Sequence, residues 1–174
     1  MEIMQKKSRK IGDFPGFELI HNGLADDKIA LILPYVKSKV HSRGAYCASS
    51  KRRVYHFTTY GGIDVDIKQR DLRKLAHEWG KDIEFSYVSV MLQEYFPVCL
   101  LPMHVDGNGC YKRIVIFNLA GSTMFYLSKT MRGPKKGIRV KAGDVVVMSP
   151  PATRLYHGIP KITEYRANAV IRYS

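Results

Sequence analysis

Apolar residues recur at two spacings in this chain, one helical and one strand-like, and the change between them divides it. Near the start, Phe17-Glu18-Leu19-Ile20 reads as a short strand ended by the turn His21-Asn22-Gly23. Ile29, Ile32, Val36 and Val40 then share one face of a helix opening near Asp26 or Asp27, and Pro34 within it predicts a kink or a break. A second helix is predicted from Asp66 to Trp79. Leu72, Leu75 and Trp79 turn inward, Lys68, Arg70, Arg73 and Lys74 occupy the other face, and Gly80 stands as the residue just past its end. From residue 83 the spacing changes to short strands: Ile83 to Leu92, Arg113 to Leu119, Thr123 to Leu127, Val145 to Met148 and Arg166 to Tyr173, with turns such as Gly121 and Gly143-Asp144. Many short strands behind a helical N-terminal part predict an α+β chain, mainly β, built as a β-sandwich or jelly roll with the helices packed outside.

Composition narrows this picture. The 174 residues suit one domain with a core around a small site, and 45% hydrophobic with 25% charged residues excludes a disordered chain. Lys6, Lys7, Arg9 and Lys10 predict that residues 1–15 form a solvated basic tail, leaving residues 16–174 as a single domain. No apolar run is long enough to span a bilayer, so no membrane partner is expected. The basic start MEIMQKKSRK is not followed by the apolar stretch of a secretory signal. Cys47, Cys99 and Cys110 lack metal-type spacing and cannot all pair, so they read as reduced thiols of an intracellular protein, expected in the cytoplasm or, in a eukaryote, the nucleus; a monomer is expected. With 28 Lys+Arg against 15 Asp+Glu the net charge is +13, which calls for a polyanionic partner without saying what chemistry is done to it.

The first candidate for that chemistry is His104-Val105-Asp106. In extended backbone residues i and i+2 face the same way, so an imidazole and a carboxylate there can share one ion. His157, in Tyr156-His157-Gly158, supplies a second imidazole. Two histidines and a carboxylate on one side of a metal leave three positions open, the facial triad of non-haem iron oxygenases. Alone, His-x-Asp reads equally as an ordinary histidine beside the surface turn Asp106-Gly107-Asn108-Gly109. At the C-terminus Arg166, Asn168, Val170 and Arg172 share a strand face, where two guanidiniums could clamp a small dicarboxylate or simply protect a solvated sheet edge. Gln93-Glu94-Tyr95 sets an amide and a phenol on one face. His21, His41, His56 and His77 stand outside any such cluster and read as ordinary polar residues, and Trp79 reads as core.

Taken in order, Gln-x-Tyr, His-x-Asp, Gly-Asp-x-x-x-Met, Tyr-His-Gly and Arg-x-Asn-x-x-x-Arg resemble the AlkB family of Fe(II)/2-oxoglutarate dioxygenases, over residues 16–174 and most closely from 84 onward. The resemblance implies a double-stranded β-helix in which His104, Asp106 and His157 hold Fe(II). It puts Arg166 on the distal carboxylate of 2-oxoglutarate and Arg172 near its chelating end, with Gln93, Tyr95 and Asn168 completing the pocket by hydrogen bonds. The implied reaction consumes O2 and 2-oxoglutarate and demethylates N-alkylated bases in DNA or RNA, releasing formaldehyde, succinate and CO2. Ser50 to Phe57 is similar to the family's nucleotide-recognition region. Lys51, Arg52 and Arg53 would then grip phosphates, while Tyr55, His56, Phe57 and Tyr60 would offer flat surfaces to a single-stranded or flipped-out base. The same stretch also reads as a partly buried strand with a basic edge. Asn108 stands where some repair members carry a carboxylate, which leaves the base preference open. Rival readings are the same iron chemistry on a protein methyl group or as base hydroxylation, an inactive nucleic-acid-binding jelly roll, and a non-oxidative cupin-like metal protein. A complete triad with two arginines argues against the last two.

Overall fold

Strand alternation organises the molecule into two antiparallel sheets that face each other. The computed structural model describes residues 7–47, 52–60 and 69–174. In chain order the strands are β1 (Lys7–Lys10), β2 (Phe17–His21), β3 (Ala45–Cys47), β4 (Arg52–Tyr60), β5 (Tyr87–Tyr95), β6 (Leu101–His104), β7 (Arg113–Ala120), β8 (Ser122–Ser128), β9 (Lys136–Lys141), β10 (Val145–Met148), β11 (Tyr156–Ile159) and β12 (Arg166–Tyr173). Helix α1 (Asp26–Arg43) precedes β3, and α2 (Arg70–Gly80) precedes β5. The larger sheet has the order β1-β2-β10-β7-β12-β5-β4-β3 and the smaller one β6-β11-β8-β9. This is the jelly-roll arrangement expected from the sequence, with both helices on the outer face of the larger sheet.

Two hydrophobic clusters follow from the period of two. On β12, Ala167, Ala169, Ile171 and Tyr173 face α1 and α2, where they meet Ile32, Val36, Val40, Leu72, Leu75 and Ala76. Val88, Val90 and Leu92 of β5 join the same layer. The intervening residues point between the sheets: Ile114 and Ile116 of β7, Tyr95 of β5 and Val170 of β12 pack against Phe125, Leu127, Ile138 and Val140. Every residue of β12 is buried, because the strand is central and covered on both faces. Its polar residues, Arg166, Asn168 and Arg172, are therefore committed to the space between the sheets.

Several local expectations change. Residues Lys7–Lys10 are not a solvated tail but an edge strand paired with β2 from Lys7 opposite His21 to Lys10 opposite Glu18, and Ile11 and Phe14 after it are buried. Pro34 leaves α1 a continuous helix of 18 residues. An interior proline costs about 3 kcal/mol, but Ile32, Val36 and Val40 are fully buried around it and burial of each contributes about 1.5–3 kcal/mol, so packing prevails. Within the described residues α2 begins at Arg70, where the Gln69 side chain accepts from the Leu72 N–H, four residues later than expected; Asp66 and Lys68 lie outside those residues. Gly80 belongs to the last turn of α2: a Cβ there would come within 2.5 Å of the Tyr173 ring, so close packing rather than a left-handed cap selects glycine. Trp79 is half-buried and meets the Phe117 ring edge-on at 5.9 Å. The first of the late strands starts at Tyr87 rather than Ile83. Gly121, at φ 70°, makes the β7–β8 hairpin, and a Cβ there would lie 2.2 Å from the Tyr165 carbonyl. Among the described residues no helix is long and apolar enough to cross a membrane.

Candidate metal centre and anion pocket

The pairing of β6 with β11 sets His104 directly opposite His157. Their rings lie 4.5 Å apart, and Asp106, at the start of the turn after β6, closes the group. Asp106 Oδ1 is 3.4 Å from His104 Nε2 and Oδ2 is 3.7 Å from His157 Nε2. One ligand atom from each residue falls within 4.8 Å of the others, and no second group of this kind occurs among the described residues. The far sides of the rings are tied to backbone: His104 Nδ1 lies 2.9 Å from the Pro102 carbonyl and His157 Nδ1 lies 3.2 Å from that of Leu155. A carbonyl only accepts, so each Nδ1 carries a proton and each Nε2 is the ring nitrogen left facing the carboxylate. The Nε2–carboxylate separations exceed ordinary hydrogen-bond lengths. Two imidazoles and a carboxylate thus converge on one point, which is the arrangement a divalent cation completes.

Arg172 supports the centre from β12. Its Nε donates to Asp106 Oδ2 at 3.0 Å and its Nη2 to Oδ1 at 2.9 Å. Burial alone would raise the Asp106 carboxyl, but the nitrogens of His104 and His157 and the Arg172 charge outweigh it and hold the group well below the usual carboxylate range. The aspartate is thereby kept ionised and oriented. Phe125 stacks on His157 at 5.6 Å and 16°, fixing the second imidazole from the apolar side.

A cavity of about 140 Å³ opens from this centre and runs along β5 and β12. Leu101, Ile116, Phe125 and Val170 form its apolar walls, and Gln93, Tyr95, Arg166 and Asn168 its polar ones. Arg166 is buried and donates through Nη2 to Asn118 Oδ1 at 2.6 Å. With the Asn168 amide oxygen turned to it, Arg166 also donates there at 3.0 and 3.1 Å, and the Asn168 nitrogen donates to Gln93 Oε1 at 3.2 Å. The Tyr95 hydroxyl donates to the same Gln93 oxygen, and its ring lies 5.1 Å from the Arg166 guanidinium. These partners are all neutral, and no carboxylate of the described residues pairs with Arg166. Burial pulls its pKa down, with Tyr95 opposing the shift and the nearby Arg52 charge adding to it. A buried guanidinium surrounded by oriented amides and a phenol suits a carboxylate brought in by a ligand.

The structure thus gathers His104, Asp106, His157, Gln93, Tyr95, Arg166, Asn168 and Arg172 around one cavity. Of the described residues expected to hold a nucleotide, it brings Arg52 alone to that cavity. Lys51 and the Phe57 side chain lie outside the described residues; Phe57 occupies the register position opposite Val90. Tyr55 sits opposite Leu92 and packs half-buried against the helix-side core, so it offers no stacking surface at the cavity. Arg53 is exposed on that same outer face. Arg52 turns the other way, into the cavity, where its Nη1 donates to the Tyr95 hydroxyl at 2.9 Å rather than gripping a phosphate. Alternation explains the split: neighbours in sequence on β4 cannot serve one site. Asn108 is exposed in the turn beyond Asp106 with φ 55°. The sequence reading missed Asn118, whose signal was one amide in the apolar run Ile-Val-Ile-Phe-Asn-Leu, and Phe125, which carried none.

No family model matches the chain, and no curated protein matches it in sequence. Solved structures do. A Pseudomonas putida prolyl-4-hydroxylase is similar with a TM-score of 0.65 at 10% identity, covering 91% of each chain. An oxidoreductase of the 2OG-Fe(II) oxygenase family from Burkholderia pseudomallei gives 0.67 at 14% identity, over 91% of this chain and 85% of the other. The structure of OsALKBH1 gives 0.66 at 12% identity, over 97% and 100%. At these identities the likeness is one of fold: the chain has the double-stranded β-helix of this group.

Proposed function

We propose that the chain is an Fe(II)- and 2-oxoglutarate-dependent dioxygenase that removes methyl groups from alkylated bases in nucleic acid. The observation that carries the oxygenase reading is the juxtaposition, in one cavity, of three converging metal-donor side chains and a buried arginine that has no carboxylate partner among the described residues. His104, Asp106 and His157 would hold the ion. Arg166, with Asn168, Gln93 and Tyr95, would take the distal carboxylate of the co-substrate, as the AlkB resemblance implies. When bound, iron and 2-oxoglutarate supply an oxidative decarboxylation that consumes O2, yields succinate and CO2, and delivers one oxygen atom to a C–H bond of the substrate.

The protein's own contributions are positioning and charge. Arg172 keeps Asp106 anionic and in place, and the two backbone carbonyls hold both Nδ1 atoms so that both Nε2 atoms are aimed at the ion. Leu101, Ile116, Phe125 and Val170 give the cavity beside the metal-donor group apolar walls. Hydroxylation of an N-methyl carbon leaves a hemiaminal that releases formaldehyde without further help. The net charge of +13 supports a polyanionic substrate. His104 is one-third exposed, so the centre is open to a base presented by a single strand or flipped from a duplex.

A second reading, hydroxylation of a protein side chain, is favoured by the prolyl-4-hydroxylase among the similar folds. Formaldehyde release separates the two. The protein is incubated with Fe(II), 2-oxoglutarate and ascorbate on single-stranded DNA and RNA carrying 1-methyladenine or 3-methylcytosine. Formaldehyde that requires 2-oxoglutarate is expected. Succinate without formaldehyde would move the target elsewhere, and neither product from iron-loaded protein would overturn the oxygenase reading.

A further inference from the structure

Register places Tyr95 between two arginines in one row across the sheet. Arg52 of β4 pairs with Tyr95 of β5, and Tyr95 pairs on its other side with Arg166 of β12. Three residues in a row across neighbouring strands present their side chains to the same face. All three line the cavity. The Arg52 and Arg166 guanidinium carbons lie 5.7 and 5.1 Å from the centre of the one tyrosine ring.

Two positive charges at one end of a small cavity repel each other. Arg52 spends Nη1 on the Tyr95 hydroxyl, while its Nε is buried with no acceptor. No carboxylate of the described residues pairs with either arginine. A single anion between them would offset the repulsion, give the Arg52 Nε a partner's charge nearby, and neutralise Arg166.

We propose that Arg52 is a second cationic arm of the co-substrate pocket, joining Arg166 on the distal carboxylate and closing that end so that a five-carbon 2-oxo dicarboxylate is selected over a longer one. This rests on the reading that the cavity takes 2-oxoglutarate. Arg52 then belongs to co-substrate binding, and β4, whose next residue Arg53 is exposed on the outer face, links that pocket to the surface.

The test is calorimetric titration of 2-oxoglutarate, and of 2-oxoadipate with one methylene more, into anaerobic Fe(II)-loaded protein. R52Q keeps a hydrogen bond to Tyr95 and removes the charge. It should bind 2-oxoglutarate about 10- to 100-fold more weakly, the loss expected for one charge-assisted hydrogen bond. R52K should stay within a few-fold of wild type. R52A should also narrow the preference for 2-oxoglutarate over 2-oxoadipate. If R52Q binds 2-oxoglutarate as tightly as wild type, Arg52 merely props Tyr95 and the inference fails while the co-substrate reading stands. If wild-type protein binds no 2-oxoglutarate, both fall.

Discussion

Arg172 grips Asp106 by both carboxylate oxygens, at 3.0 and 2.9 Å, with both side chains buried. One salt bridge thus joins the last strand to the metal-donor group, and each partner is expensive to leave alone. Asp106→Ala should destabilise the metal-free protein by about 3–5 kcal/mol, because it strands a buried guanidinium. Arg172→Met should cost a similar amount and weaken metal binding by about 10- to 100-fold, the usual effect of losing an outer partner of a ligand. The double variant should be more stable than the sum of the two losses predicts. Urea unfolding of the four proteins checks this; strict additivity would show that the pair is not coupled.

Arg166 should behave in the opposite sense. It has no anion of its own in the described structure, so its burial is a burden in the absence of co-substrate. Arg166→Met should leave metal-free stability within about 1 kcal/mol of wild type, the lost bonds to Asn118 and Asn168 being offset by removal of a buried charge. The same variant should lose the thermal stabilisation that wild type gains from 2-oxoglutarate, about 2.7 kcal/mol at a hundredfold excess over Kd. A variant that unfolds like Asp106→Ala, or that still responds to 2-oxoglutarate, would contradict this account.

Alkaline stability should depend on Tyr173. Its hydroxyl is buried and donates to the Ala76 carbonyl at 2.6 Å, tying β12 to α2. Burial pushes its pKa above the ordinary tyrosine range, Arg113 opposing and Asp82 assisting. The fold favours the neutral phenol, so this stabilisation is complete below the unfolded value of about 10 and is lost as pH rises from there toward the higher native value. Tyr173→Phe should cost about 1 kcal/mol at neutral pH and make denaturant midpoints fall less steeply between pH 10 and 12. An unchanged slope would exclude Tyr173 as the group responsible.

The facing of side chains within a strand was legible locally, since the pleat repeats every two residues. Arg166, Asn168 and Arg172 could be placed on one face, and Gln93 with Tyr95 on another, from spacing alone. The His104/Asp106 pair was readable for the same reason. Pro34 and Lys7–Lys10 misled because local preference was outweighed: three buried aliphatic residues keep α1 continuous, and an open edge of β2 recruits the basic segment.

Register was not legible, because it is set by hydrogen bonds between segments far apart in the chain. Alternation on β4 already separated Arg52 from Arg53 and Tyr55, but it could not say which set faces the cavity. Pairing with β5 answered that, turning an expected phosphate grip into a wall of the cavity. The pairing of β6 with β11 likewise brought His157 across 53 positions of sequence to stand opposite His104. Residue types and their alternation specified which groups could act together; the packing of one sheet on the other specified where they meet, since burial between the sheets is what turns shared faces into a single site.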